Sequence, residues 1–503
     1  MGLNIPRPGL LYCAILVLIT AALFLSGAPI DNAFSWPDSP RHALNGAFVL
    51  DLLRDRPFAD PQSYAFDYYA QYPALTILFY PPLFYFILAP FYALFGVSQA
   101  SAIAAEFLCY SLLAVGSYRL ARFWLSPFFA FCAALILIAM PDVGFWGRQV
   151  MLEIPAFALV VWSAYGFMRY LRDRRIGWLY LAAALAVLAM YTKLTAVFIL
   201  IVYLLALLHS RGTDIFRDRH SYIIAALAIL GSIPLAVLTL KFGQANLQSV
   251  SGVSDAVVSR DSLSGWIWYA QQMPGQMGWP ALLAAIAGLV ALALRRARLA
   301  LFLPLLLWLV IGYLMFSAID LKEARHSIFL LFPLAVFAAF GLSQLLGKWP
   351  LAAGASVLAV GIATLGLTVF TRPVHNVAGY TEVADYIAKV APKHSAVVFS
   401  GYRDGAFIFA MRTHEERRDL SIVRSDKLFL KIAVRRSLGV SQKMMDEDHI
   451  VSTLGRLAVR YVVAQPGFWT DLESMKRFED VLKSQHFEKV RTFTMRANYN
   501  AQE

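Results

Sequence analysis

Residues 77–96 read ILFYPPLFYFILAPFYALFG, apolar enough to cross a membrane, and whether they do so decides the fold. The chain has 503 residues, 59% of them hydrophobic and 15% charged. Further apolar runs, many close to about twenty residues long, exclude a soluble globular protein and indicate a polytopic membrane protein. They fall at about 10–27, 99–118, 127–143, 153–168, 177–192, 194–209, 221–241, 279–294, 299–317, 326–346 and 350–370. Basic residues set the parity: Arg119 and Arg122, then Arg169, Arg172, Arg174 and Arg175, then Arg211, Arg217 and Arg219, then Arg295, Arg296 and Arg298, then Lys348. These clusters follow every second run, the positive-inside pattern. Complete crossing by 77–96 would put all of them outside. The segment is therefore expected to be re-entrant or interfacial, which is allowed where backbone at membrane depth packs against protein. Pro81, Pro82 and Pro90 favour a broken helix. The fold class predicted is mainly α: a polytopic transmembrane helical bundle of about 11 spans plus this segment, with the carboxyl end outside.

The short basic leader MGLNIPRPG suggests an uncleaved first helix with a cytoplasmic amino end. Residues 28–78 then form a polar, aromatic-rich first outer loop. The formal net charge of +12 lies largely in the loops and implies no nucleic acid partner. Cys13, Cys109 and Cys132 lie in apolar runs without paired spacing, so neither a disulfide framework nor a zinc site is indicated. From about residue 373 helical and strand patterns alternate: VAGYTEVADYIAKVAP, SAVVFSG, YRDGAFIFAMRTH, LSIVRSD, then HIVSTLGRLAVRYVVAQPG. This predicts a transmembrane domain over 1–372 and a small C-terminal α/β extracytoplasmic domain over 373–503. The Gly401–Gly405 turn is too loose for a phosphate loop, and the C-terminal domain is expected to be a lid or docking module.

Charged residues at the outer face are the candidates for chemistry. Asp38 precedes Ser39 and Pro40, a helix start with Ser39 as expected N-cap, so its carboxylate should be oriented by the helix dipole as a general base. Asp142, Arg148 and Glu153 in MPDVGFWGRQVMLEIPA share that face. An acidic residue entering a helix can merely cap it, but one facing another carboxylate loop reads more economically as functional. Lys193, between two apolar runs, is either a snorkelling lysine or a ligand. Arg325 starts a later run, with Lys322 and His326 beside it. Cations outside run against the positive-inside bias, and a bound anion such as a lipid phosphate accounts for them. Two carboxylates and two cations suit sugar transfer from a lipid-linked phosphate: cations take up the leaving group's charge and a carboxylate takes the acceptor's proton.

These residues resemble the GT-C membrane glycosyltransferases over about residues 8–345. The resemblance is to the polyprenyl-phosphate-sugar-dependent group that includes protein O-mannosyltransferases and lipid A aminoarabinose transferases. The marks are Asp38 in WPDSPRHA, Pro81-Pro82-Leu83 with Leu94-Phe95-Gly96, the run from Arg148 to Pro155, Thr192-Lys193, and Arg325-His326 with Pro333. The resemblance implies Asp38 as catalytic base, Glu153 as second acidic residue, and Lys193 and Arg325 as donor-phosphate contacts. Arg41, His42, Tyr80, Arg148 and His326 are supporting positions. It implies an inverting hexosyl or pentosyl transferase in a bacterial-type inner (cytoplasmic) membrane, with active site and C-terminal domain on the periplasmic side. Its partners are a polyprenyl-phosphate-linked sugar and a lipid, glycan or protein acceptor. No cofactor is implied; two carboxylates can hold a divalent ion, but a metal is not favoured because two cations already serve the phosphate. Relatives commonly carry Asp-Glu where this chain has Asp38-Ser39, and His or Lys where it has Tyr80, so sugar and acceptor do not carry over.

Tyr64, Phe66, Tyr68, Tyr69 and Tyr72 fit an interfacial aromatic belt better than a sugar-stacking surface. Residues 242–276, with Trp266, Trp268 and Tyr269, are expected to be a loop able to fold over the donor. The rival readings are a transporter and a non-catalytic envelope assembly protein. Against the transporter stand charges gathered at one face and no inverted repeat.

Overall fold

The computed structural model describes residues 7–27, 32–34, 36–251, 258–432, 436 and 439–499. The first helix, α1 (Arg7–Leu25), is followed by α2 (Ser39–Asp55) and α3 (Pro61–Gln71), then α4 (Leu83–Phe95). The bundle continues through α5 (Gln99–Ala121), α6 (Pro127–Ala139), the short α7 (Pro141–Trp146), α8 (Glu153–Asp173), α9 (Ile176–Met190) and α10 (Phe198–Arg211). It closes with α11 (Arg219–Ser251), α12 (Leu263–Met277), α13 (Trp279–Leu294), α14 (Leu299–Ser317), α15 (Leu331–Leu345) and α16 (Pro350–Thr371). Among the described residues seven helices are long and apolar enough to cross a membrane, and five more are apolar but shorter. Setting α4 aside leaves eleven, the number expected from the sequence.

The position of α4 shows why it is set apart. Its 13 residues match α6 in length, so the location of its two ends and not its length distinguishes it. Leu83 N donates to Tyr191 O, at the far end of α9. At the other end of α4, Gln99 N donates to Asn32 Oδ1 and Gln99 Nε2 to Ala33 O, just beyond α1. Both ends of the segment thus lie at one end of the bundle. The arginine clusters meet at the opposite end, where Arg211 pairs with Asp218 and donates to Tyr170 Oη, and Trp124 Nε1 donates to Leu301 O.

Tight crossings hold the spans together. A Cβ on Gly288 would stand 1.9 Å from Phe337 O, and one on Gly341 would stand 2.4 Å from Gly288 N. Small residues at that crossing let α13 and α15 approach backbone to backbone, as packing between helices in lipid favours.

Among the described residues, strands occur only beyond α16. β1 (Val377–Ala378), α17 (Tyr380–Val390), β2 (Ala396–Ser400), α18 (Asp404–Arg412), β3 (Ser421–Arg424) and α19 (Ser425–Phe429) come first. β4 (Leu430–Ile432), β5 (Val440–Gln442), α20 (Glu447–Arg456), β6 (Val459–Ala464), α21 (Glu473–Val481) and β7 (Arg496–Ala497) follow. A parallel sheet of order β3-β2-β6 has the wholly buried β2 at its centre, with Val398 opposite Val423 and Val462. Every alternating segment read from the sequence has its counterpart, to which the structure adds the β4–β5 hairpin, the β1–β7 pair and α21.

This region shares a core with α2, α3 and the segment that follows them. Leu44, Phe48 and Tyr72 pack in one cluster with Phe407, Ile408 and Ile422. The aromatic residues expected to form a membrane belt are largely part of that junction: Tyr68 and Tyr72 are buried, and Gln71 Nε2 donates to Leu420 O. Phe66 and Tyr69 remain exposed. Residues 242–276 are likewise not a single loop, because α11 runs on to Ser251 and α12 starts at Leu263. Residues 252–257 of that stretch lie outside the described residues.

Candidate active site

Asp38 is itself the N-cap residue of α2, with helix from Ser39 and proline in the first turn. This corrects the expectation that Ser39 caps. Asp38 makes no side-chain capping bond, so its oxygens are not used up by the helix start. The side chain keeps 26% exposure, more than Glu153, Lys193 or Arg325.

Glu153 opens α8 with its side chain 2% exposed, and its Oε1 accepts from Lys193 Nζ at 2.7 Å. Its Oε2 has no hydrogen-bond partner. Glu153 therefore does not act as a cap but anchors a lysine. Burial pulls the Lys193 ammonium below its usual range, and the Glu153 carboxylate works against that pull. Arg325 lies in a single 3-10 turn, Ala324–Leu330, where its Nη1 stands 3.7 Å from Asp38 Oδ2 and 3.7 Å from Glu153 Oε1. Those are ion-pair rather than hydrogen-bond distances. Its Nε donates to Glu323, and its guanidinium lies over Trp36 and Trp146 at 5.8 and 5.7 Å. Two indole faces and Glu323 thus orient the cation. Sequence reading missed Glu323, Trp36 and Trp146. Glu323 stands in the same DLKEARHS run as Arg325, and an arginine two residues from an acid is a signal that could have found it.

The supporting positions separate into two groups. His42 and Tyr80 belong to the cluster: their rings meet at 4.8 Å, and His42 Nδ1 is 3.0 Å from Tyr85 Oη. His326 shares the turn with Arg325. Arg41 and Arg148 do not belong. Arg41 pairs with Asp404 at 2.9 Å and so serves the junction with the C-terminal region. Arg148 is buried and donates to the backbone oxygens of Gly144 and Arg372 at 2.8 and 2.6 Å, stitching α7 to the end of α16. Lys322 is not an anion contact either, because its Nζ donates to Ser317 O and Ile319 O at the end of α14. Asp142 is held by Gln276 and Arg372.

Burial pushes the His42 imidazole down to about 4, with Asp38 and Glu153 pulling it upward less strongly. His42 is therefore neutral at physiological pH. The unfolded chain takes up this proton near the ordinary 6.5, the folded chain only near 4, so stability is full above 6.5 and falls as pH drops towards 4. At the lower limit His42 accounts for roughly 3 kcal/mol. Melting in detergent across pH 7 to 4 should show a smaller loss for His42→Gln than for the unaltered protein. Equal losses would show that His42 does not contribute.

Residues 80–237 match the family model described as dolichyl-phosphate-mannose-protein mannosyltransferase, a span that includes Glu153 and Lys193. Among solved structures, the fold is similar to that of ArnT from Cupriavidus metallidurans bound to undecaprenyl phosphate. That match has TM-score 0.60 and 16% identity, over 90% of this chain and 89% of the other. It is also similar to the oligosaccharyltransferase AglB from Archaeoglobus fulgidus, in complex with an inhibitory peptide and a dolichol-phosphate. There the TM-score is 0.56 at 13% identity, over 91% of this chain and 69% of the other. No match is found among curated protein sequences.

Proposed function

We propose, from the premise that this chain is a multi-pass membrane protein with the GT-C glycosyltransferase fold, that it moves a sugar from a polyprenyl-phosphate donor to an acceptor hydroxyl. The observation that carries the reading is the convergence of Asp38, Glu153, Lys193 and Arg325 from four separate segments at one end of the bundle. Lys193 and Arg325 hold the donor phosphate. As the bond from the anomeric carbon to the phosphate oxygen breaks, its electron pair passes to that oxygen, and the two cations take up the charge. Asp38 accepts the proton of the acceptor hydroxyl as its oxygen forms the new bond, and this direct displacement inverts the anomeric configuration. Glu153 keeps Lys193 in place. No metal is needed in this scheme.

A groove of about 350 Å³ supports a lipid donor. Its walls include Met273, Leu309, Tyr313 and Leu334, and it reaches Leu330 at the end of the turn that carries Arg325. A polyprenyl chain lying there would deliver its phosphate to that turn. The arginine-rich end is read as cytoplasmic, which puts the site and the C-terminal region on the outer side of an inner membrane, with residues 1–372 as catalytic domain and 373–503 as the second domain. The acceptor is a lipid, a glycan or a protein.

The test is release of lipid phosphate by purified protein in nanodiscs given a panel of polyprenyl-phosphate sugars and envelope extract as acceptor. Release is expected from at least one donor. Lys193→Met should lower it by about a hundredfold, the order seen when one charge-stabilising group is removed. No release from any donor, or full release by the Met variant, would overturn the reading.

A further inference from the structure

Gln276, at the carboxyl end of α12, is 1% exposed, and no sequence motif singles it out. Its Nε2 donates to Asp142 Oδ2 at 3.0 Å and to Ala324 O at 2.6 Å, and its Oε1 accepts from Ser327 Oγ at 3.0 Å. Both groups around the nitrogen are acceptors only, so the amide can face just one way. Ala324 and Ser327 bracket Arg325 and His326. One buried side chain therefore grips the chain on both sides of Arg325, at the start of the turn and at its middle.

The grip is itself anchored. Asp142 Oδ1 accepts from Arg372 Nη2 at 3.2 Å, and the Arg372 carbonyl accepts from Arg148 Nη2. α7, α12, the Arg325 turn and the end of α16 are thereby joined by one polar network. Such a network is often no more stabilising than an apolar filling of the same volume, but it fixes one arrangement among several. The segment it fixes carries a cation aimed at Asp38 and Glu153, and placement errors near 1 Å at a reacting centre are costly. α12 also contributes Met273 to the apolar groove, one helical turn before Gln276.

We infer that Gln276 is a positioning residue for Arg325, coupling the helix beside the lipid groove to the cation that receives the donor phosphate. This deepens the transferase reading and rests on it. The experiment measures equilibrium affinity for undecaprenyl phosphate in nanodiscs for the unaltered protein, Gln276→Leu, Arg325→Ala and the double variant. Gln276→Leu should weaken binding roughly tenfold, and adding it to Arg325→Ala should cost nothing further, because a residue acting through Arg325 has nothing left to act on. Ser327→Ala, a milder change, should weaken binding by a few-fold and also lose its effect in the Arg325→Ala background. A purely structural role would give additive losses. Additive losses, or a Gln276→Leu variant that binds as the unaltered protein does, would overturn the inference while leaving the transferase reading standing. If the unaltered protein does not bind the lipid phosphate, or Arg325→Ala binds it equally well, the donor-site reading fails and the inference falls with it.

Discussion

Asp38→Asn is expected to lower sugar transfer by about a thousandfold, within the range for loss of a general base, while leaving fold and lipid-phosphate binding intact. The geometry gives this variant little structural role. Asp38 makes no capping bond, and asparagine is as good an N-cap residue as aspartate, so α2 should start as before. The only charged partner of Asp38 among the described residues is Arg325, at 3.7 Å, too long for a hydrogen bond. Removing that carboxylate frees positive charge on Arg325, so undecaprenyl phosphate should bind equally well or slightly tighter. Glu153→Gln should behave differently. Glu153 is buried and takes Lys193 at 2.7 Å, so its neutralisation leaves a buried lysine without its counter-charge and should depress donor binding and melting temperature together. Single-turnover rates, affinities and melting curves for the two variants separate base from scaffold. Full turnover by Asp38→Asn would remove Asp38 from the mechanism.

What the sequence made legible was what is periodic or counted. Spans follow from apolar runs, and the side on which each loop lies follows from arginines recurring after every second run. That parity grouped Asp38, Glu153, Lys193 and Arg325 before any distance was known, and it is also what set residues 77–96 apart from the expected spans. The failures share a cause as well. Arg41, Tyr68 and Tyr72 face partners more than three hundred residues away, or pack among them, and such pairings leave no local pattern. Arg148 and Lys322 spend their charges on backbone carbonyls, which every residue possesses and which no motif reveals. The stretch KFGQANLQSV, residues 241–250, is polar enough to suggest a loop, but helix continues through it because nothing in it breaks the backbone ladder. Polarity marks where a helix leaves the apolar layer, not where it ends.

The junction of the C-terminal region with α2 should carry the largest single contribution to stability. Arg412 and Asp51 are both 0% exposed; Arg412 Nη2 reaches Asp51 Oδ1 at 2.7 Å and Oδ2 at 2.6 Å, and Arg412 Nε donates to Oδ2 at 3.0 Å. Tyr68 Oη donates to the same carboxylate at 2.9 Å. Because both groups are fully buried, Arg412→Met strands Asp51 as a buried charge, with Arg418 at 3.8 Å and the Tyr68 hydroxyl as its remaining partners among the described residues. Loss of one partner from a buried pair typically costs about 3–5 kcal/mol. A marked drop in melting temperature in detergent is expected, with new protease cuts beyond residue 372 as the region loosens. Turnover should fall with it, since α2 also carries Asp38 at its start and Arg41, bound to Asp404, one turn on. The double variant Asp51→Leu/Arg412→Met removes both charges and fills the space with apolar side chains, so it should regain most of the lost stability and turnover. Recovery of stability without turnover would show that the ion pair orients α2 as well as holding it. An Arg412→Met protein that melts and turns over as before would show that the junction is held by its shared apolar core alone.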